Sequence, residues 1–354
     1  MFGVKGKPWE GAGAVNVEDC QTAREVITKS KLNFTVAKCE VVAKMPIQDF
    51  SDEALDRFGE SKDGAMVYGN NIYREVPNSF ATYRTDYNIP LGNVKSKYTV
   101  VQNLDAFNFF DKAIGKDKAI WQTAGVFGYG ERIFVSAKLP DNILVNGTDP
   151  IETYLVFTNT HDGSSGVKIL FTPIRVICQN TLNAAIRGAS NIVTFRHTQS
   201  VHQKLDVADE ILGISHKLAE NFKIECERLS VVKMTDKGVM KYICQQYMTE
   251  QELLKAAQLK IDYNMIINRN WMAVKDLGLS SRKLNMITDT WKYYHTGPGQ
   301  KQYLGTAWGA ANAISGYLSN VDTSVSDNKR FDSLVYGDKA KKIQKAFDAE
   351  FLYC

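Results

Sequence analysis

Between residues 118 and 172 the chain carries four stretches of strand character, at 118–126, 131–139, 152–160 and 166–172. GYGE at 128–131 and HDGSSG at 161–166 supply the glycines and aspartate that a tight reversal needs, and a polar loop at 141–150 joins the middle pair. Parallel neighbours would require a dozen or more connecting residues, usually helical, which these gaps do not contain. The block is therefore an antiparallel meander, and the rest of the fold has to be assembled on it.

The flanks supply more strands and then helices. Residues 32–45 alternate as a strand does, and strand patterns return at 65–75, 79–86 and 94–101. LDAFNFFDKAIG reads as an amphipathic helix with Asn103 as N-cap and Gly115 as its stop. After Pro173 the apolar spacing becomes helical over 177–188, and IVTFRHT at 192–198 adds a strand. From residue 200 onward, 202–229 and 236–260 show i, i+3, i+4 spacing among many charges. A mixed helical segment at 261–295 ends at GPGQ (297–300), a small-residue helix follows over 302–320, and an amphipathic helix closes the chain at 338–351. The expected class is α+β: an antiparallel β-meander with packed helices over 1–199, then a mainly helical region, 200–354, packed on that core.

Composition removes several functional classes. No apolar run approaches the roughly 18 residues of a membrane span. MFGVKGKPWEGAG has no h-region, so the expected location is the cytoplasm of the cell that makes the chain. The six cysteines are scattered, with no CxxC pair and no histidine at ligand spacing, and no metal or cofactor is expected. A net charge of +4 is no polycation, so nucleic-acid binding needs basic residues gathered by the fold.

Two kinds of residue stand out. The first is the block around His161, Asp162, Arg175 and Cys178. His161 and Asp162 form a possible base and orienting carboxylate, but Asp162-Gly163 is also a hairpin-turn signal. Cys178 lies near an expected helix start, yet beside the apolar Ile177. Gln179, Asn180 and Asn183 suit either contacts to bases or capping of that helix. Ser164 and Ser165 have no G-x-S-x-G elbow, and GVFGYGE lacks the Lys-Ser/Thr of a phosphate loop. The second kind is basic residues interleaved with aromatics on strands and strand edges: Arg84, Lys95, Lys97, Tyr98, Arg132, Lys168, Arg175 and Arg196. Rings that stack bases beside cations that hold phosphates are how single strands are bound without sequence readout.

PWEGAG (8–13), YTVVQN followed by FNFF (98–110), NTHDGSSGVKILFTPIRVICQNTLNAAI (159–186) and GTAWGAANAISGYL (305–318) resemble, in that order, the phage/plasmid-like family built on a domain of unknown function. The chain departs from that pattern at Glu10 and at Asp322-Thr323, where the family commonly has histidines, so no role is carried over to those positions. The resemblance implies a gene carried by a phage, prophage or plasmid, near replication and recombination functions. The order helix, antiparallel meander, helix is similar in outline to Rad-fifty-two-like single-strand annealing proteins, which form rings and hold DNA in a basic groove. The expectation is a phage-encoded protein that binds and anneals single-stranded DNA as a homo-oligomer, through the eight residues above. Two alternatives remain open. One is an enzyme acting on nucleic acid or a nucleotide, centred on His161 and Cys178. The other is a host-interaction or scaffolding protein that offers an exposed apolar patch in 200–354.

Overall fold

Two antiparallel sheets make up the β part of the computed structural model, which describes residues 4–11, 13–51, 53, 65–115, 119–140, 142–175, 180–181, 192–199, 208–323 and 326–347. The larger sheet contains β1 (Val15–Asn16), β6 (Ile120–Phe127), β7 (Arg132–Lys138), β9 (Asp149–Thr160), β10 (Val167–Arg175) and β11 (Asn180–Thr181) in that spatial order. On it, β8 (Ile143–Val145) pairs with β9, and β12 (Ile192–Phe195) pairs with β10. In the smaller sheet β4 (Asn71–Arg84) is central. β2 (Val36–Pro46) lines one side of it, while β3 (Met66–Tyr68) and β5 (Ile89–Val94) share the other.

The meander runs β6-β7-β9-β10, as its short gaps require, and its register fixes which residues share an end. Arg132 stands opposite Thr160, and Lys168 opposite Thr158. The turns at 128–131 and 161–166 therefore lie side by side, and the His161 N–H donates to the Glu131 carbonyl at 2.7 Å. Arg175 is at the other end of β10, opposite Ile151. Pro173, which cannot donate to a ladder, falls where β10 has a partner on one side only among the described residues, between its pairings with β12 and β11.

Eleven α-helices occur among the described residues: α1 (Ala23–Lys29), α2 (Asn103–Gly115), α3 (Ala208–Val231), α4 (Asp236–Tyr247), α5 (Glu250–Gln258), α6 (Tyr263–Ile267), α7 (Trp271–Leu277), α8 (Ser281–Thr296), α9 (Ala307–Gly316), α10 (Asp327–Val335) and α11 (Asp338–Ala346). α1 and α2 cover one face of the larger sheet, where Phe107, Phe110, Trp121 and Phe157 are buried together. Each such ring contributes about 1.5–3 kcal/mol when fully buried. The second core joins the helices to the sheet: Trp308, Ile314, Tyr242 and Ile287 pack with Ile143, Val145 and Ile151 of β8 and β9. At its centre every residue of α9 is buried, which its small side chains permit.

Three differences from the sequence expectation have local causes. The run 236–260 is two helices, because Thr249 starts a new one: its hydroxyl accepts from the Glu252 N–H while the Glu252 carboxylate accepts from the Thr249 N–H. The strand expected at 94–101 lies earlier, at β5, and Lys95 to Tyr98 turn instead. Pro90 and Gly92 had hidden β5 from its pattern. Gly92 is needed there, since a Cβ would stand 2.4 Å from the Asp162 Cα. Within the helix expected over 177–188, Asn180 and Thr181 pair as β11 with Arg175 and Ile174; the other residues of that segment lie outside those described.

The close approach of Gly92 is the joint between the two sheets. Gly92→Ala forces the backbones apart and is expected to cost about 1–3 kcal/mol, as overpacking does. A urea midpoint unchanged from the parent would show that the sheets are not held together there.

Candidate nucleic-acid interface

The smaller sheet docks against the turn end of the larger one, and that joint gathers residues far apart in sequence. The Thr82 hydroxyl donates to the His161 carbonyl at 2.5 Å, and Arg84 Nη1 donates to the Tyr129 carbonyl at 2.7 Å. The 95–98 turn is clamped from three sides. Lys38 Nζ donates to the Ser96 and Tyr98 carbonyls, the Ser96 N–H donates to Asn78 Oδ1, and the Tyr98 hydroxyl donates to the Thr160 carbonyl.

Two open cavities flank the 161–166 turn and share Ser165. The larger, about 590 Å³, is lined by Lys95, Lys97, Tyr98, Arg196 and His197, together with backbone at Gly163 and Gly166. The smaller, about 290 Å³, is lined by Arg132, Lys168, Asp332 and Tyr336. Seven of the eight residues singled out from the sequence therefore lie at one end of the sheets, although five separate segments deliver them.

Their chemical states differ. Lys95, Lys97 and Arg196 are exposed and make no ion pair among the described residues, so they are the strongest candidates for phosphate. Arg132 is ion-paired with Asp332. Lys168 stands over the Tyr336 ring at 4.7 Å, and burial together with Arg132 lowers its pKa. Arg84 is committed: Nε and Nη2 donate to the two oxygens of Asp86, and its guanidinium lies 3.9 Å from the Phe34 ring centre. Its role is to hold the two turns beside it.

Those turns carry two rings that sequence patterning missed. Tyr87 is 69% exposed, 5.2 Å from the Arg84 guanidinium, and Tyr129 is 65% exposed at the tip of GYGE. Periodicity says nothing about a ring in a turn. The available signal was chemical, because a turn needs glycine or a polar residue and packing does not ask for tyrosine there.

Arg175 has to be removed from the set. It has no accessible surface; its Nε donates to Asp149 Oδ2 at 2.7 Å and its Nη2 to the Gly299 carbonyl at 2.9 Å. Its position on β10 puts it at the opposite end of the strand from Lys168, inside the joint between sheet and helices.

His161 is also not where its turn motif suggested. Asp162 and Gly163 do make the turn, with Asp162 Oδ1 accepting from Ser164 N–H and hydroxyl and Gly163 at φ +77°. His161 itself is fully buried, edge-on to Phe34. Its Nε2–H donates to Asn103 Oδ1 at 2.8 Å, the Asn103 amide being oriented by its own donation to the Leu32 carbonyl. Burial, with His197 nearby, lowers its pKa to about 3, so the ring is neutral and closed to solvent. Beside it His197 donates from Nδ1 to the Thr99 carbonyl and stacks on Tyr98 at 4.5 Å. Cys178, Gln179 and Asn183 lie outside the described residues. Among the described residues no three His, Cys, Asp or Glu side chains could hold a metal ion, and no helix is long and apolar enough to cross a membrane.

A pH dependence follows from His161. Unfolded, the ring titrates near 6.5; folded, it stays neutral to about 3. Between those values the unfolded chain binds the extra proton, so this contribution is complete above pH 6.5 and is lost as pH falls toward 3. The loss is up to about 1.4 kcal/mol per pH unit. His197, lowered by burial as well, acts in the same direction. Urea midpoints should drop between pH 7.5 and pH 5, and His161→Gln should flatten that drop. An equal drop in both proteins would assign the acid sensitivity elsewhere.

A family model described as a domain of unknown function, DUF932, matches residues 90–341, which is most of the chain. The match includes the meander, both cavities and the helices from α2 to α10, and excludes α1 and β1 to β4. No curated protein and no solved structure matches.

Proposed function

We propose that this chain, which belongs to the DUF932 family, binds single-stranded DNA at the turn end of its sheets and works as a homo-oligomer that anneals or protects strands in phage recombination or replication. The observation that carries the reading is the gathering of three uncommitted cations, two more beside acidic and aromatic partners, and two exposed tyrosines around the 128–131 and 161–166 turns. Phosphates bind Lys95, Lys97 and Arg196, with Lys168 and Arg132 further along. Bases stack on Tyr87 and Tyr129, which suits a ligand whose bases are unpaired. Nothing in this reading needs a cofactor.

The test is oligonucleotide binding followed by anisotropy at several salt concentrations. Five phosphate contacts give a log–log slope of about 3.5, hence a loss of about a hundredfold in affinity between 50 and 200 mM salt. Absent or salt-insensitive binding removes the proposal.

A second reading has one observation in its favour. Leu254, Leu259, Trp271 and Met272, in and beside α5 and α7, are exposed large apolar side chains in the helical region, as a protein-docking role predicts. It differs from the first in its outcome: Trp271→Ala would weaken capture of a protein partner and leave oligonucleotide affinity unchanged.

A further inference from the structure

Among the described residues the smaller sheet leaves one long edge open beyond Val36, whose N–H and C=O are held by the Gln102 side chain. β2 pairs with β4 along its length, and no other strand among the described residues pairs with it. The irregularity between Glu40 and Val42 belongs mainly to β4, where residues 76–79 stand against the single Val41. β2 itself keeps strict alternation from Glu40 to Pro46: Glu40, Val42, Lys44 and Pro46 are exposed, and the residues between them are half-buried. An edge with this regular alternation and an exposed valine near its middle, 42% accessible, is a template for another strand.

The charges on that edge choose the strand. Glu40 and Lys44 flank Val42 at equal spacing, and neither makes an ion pair among the described residues. We propose that β2 pairs antiparallel with β2 of a second copy of this chain, about a two-fold axis at Val42. That register sets Val42 against Val42 and Glu40 against Lys44 twice. Centring on Glu40 or on Lys44 instead sets like charges face to face, and centring on Val41 sets Lys38 against Lys44. Centring on Cys39 would set Lys38 against Glu40, but Lys38 is held by the Ser96 and Tyr98 carbonyls and only residues 36–42 would overlap, while centring on Ala43 leaves Glu40 and Lys44 facing no opposite charge. The Val42 register matches two unpaired opposite charges over residues 38–46, as an isologous contact favours. The inference deepens the homo-oligomer part of the proposed function and rests on it, independently of nucleic-acid binding.

Sedimentation velocity on the full chain tests it, with the charge-swapped set Lys44→Glu, Glu40→Lys and the double variant. Each single variant replaces two opposite-charge pairs by two like-charge pairs and is expected to weaken the dimer about tenfold or more. The double variant restores both pairs and should regain the parent dimer. Val42→Cys on a Cys39→Ser background should form a cross-linked dimer on oxidation, because directly opposed residues of an antiparallel pair have Cα atoms about 4.5–5.5 Å apart, within disulfide reach. A parent that is monomeric, single variants that dimerise as well as the parent, or a double variant that stays dissociated would each overturn the proposal. Oligonucleotide affinity measured on the same samples separates the two readings. A charge-swap pattern without any binding condemns the nucleic-acid reading alone; binding without the pattern condemns this interface alone.

Discussion

Replacing Lys95, Lys97 and Arg196 by alanine together is expected to lower affinity for a single-stranded oligonucleotide about five-hundredfold at 50 mM salt and about thirtyfold at 200 mM. The estimate follows from counterion release: three phosphate contacts account for about 2 units of the log–log slope, and the non-electrostatic part, read at 1 M salt, is unchanged. All three side chains are exposed and unpaired among the described residues, so stability should stay within about 0.5 kcal/mol of the parent. The diagnostic quantity is the slope. A loss of affinity with the parent slope would mean that the three residues act through the shape of the site and not through phosphate. No loss at all would place the interface elsewhere.

Arg175→Leu is expected to do the reverse, costing about 3–5 kcal/mol of stability and leaving the salt slope untouched. The pair it breaks is wholly enclosed: Asp149 is as buried as Arg175, and removing one partner strands a charge that water cannot reach. Arg175 also reaches the Gly299 carbonyl and lies 5.3 Å from the Tyr303 ring centre, while Asp149 accepts from Trp308 Nε1. The pair is thus a bolt between β9, β10 and the helices. Replacing both residues by apolar ones of similar volume should recover much of the loss, since the pair had to overcome the desolvation of two ions. Urea unfolding of the single and double variants measures this. A single variant that keeps its stability but loses oligonucleotide affinity would return Arg175 to the binding surface.

The contrast between these variants shows what a basic residue in a strand pattern can and cannot reveal. Lys168 and Arg175 are seven residues apart on one strand, in similar apolar surroundings. One lines a surface cavity; the other is the core of a joint. The buried member is recognised by its partner, Asp149, which the sequence places in a polar loop with nothing to mark it. His161 fails in the same way. Its neighbours Asp162 and Gly163 form the turn they spell out, but the position of the imidazole is set by Phe34 and Asn103, more than fifty residues upstream.

Connection length and apolar period act over neighbouring residues, so the meander, the α+β class and the helical character of the C-terminal region are legible in the chain. The chain also supplies the cations and rings from which the candidate interface is made. That seven of those eight residues share one end of the sheets, that Arg175 does not, and that Tyr87 and Tyr129 stand beside them comes from packing between distant segments. Which residues meet depends on the docking of two sheets through Gly92, Thr82 and Arg84, and those long-range contacts leave no period in the chain.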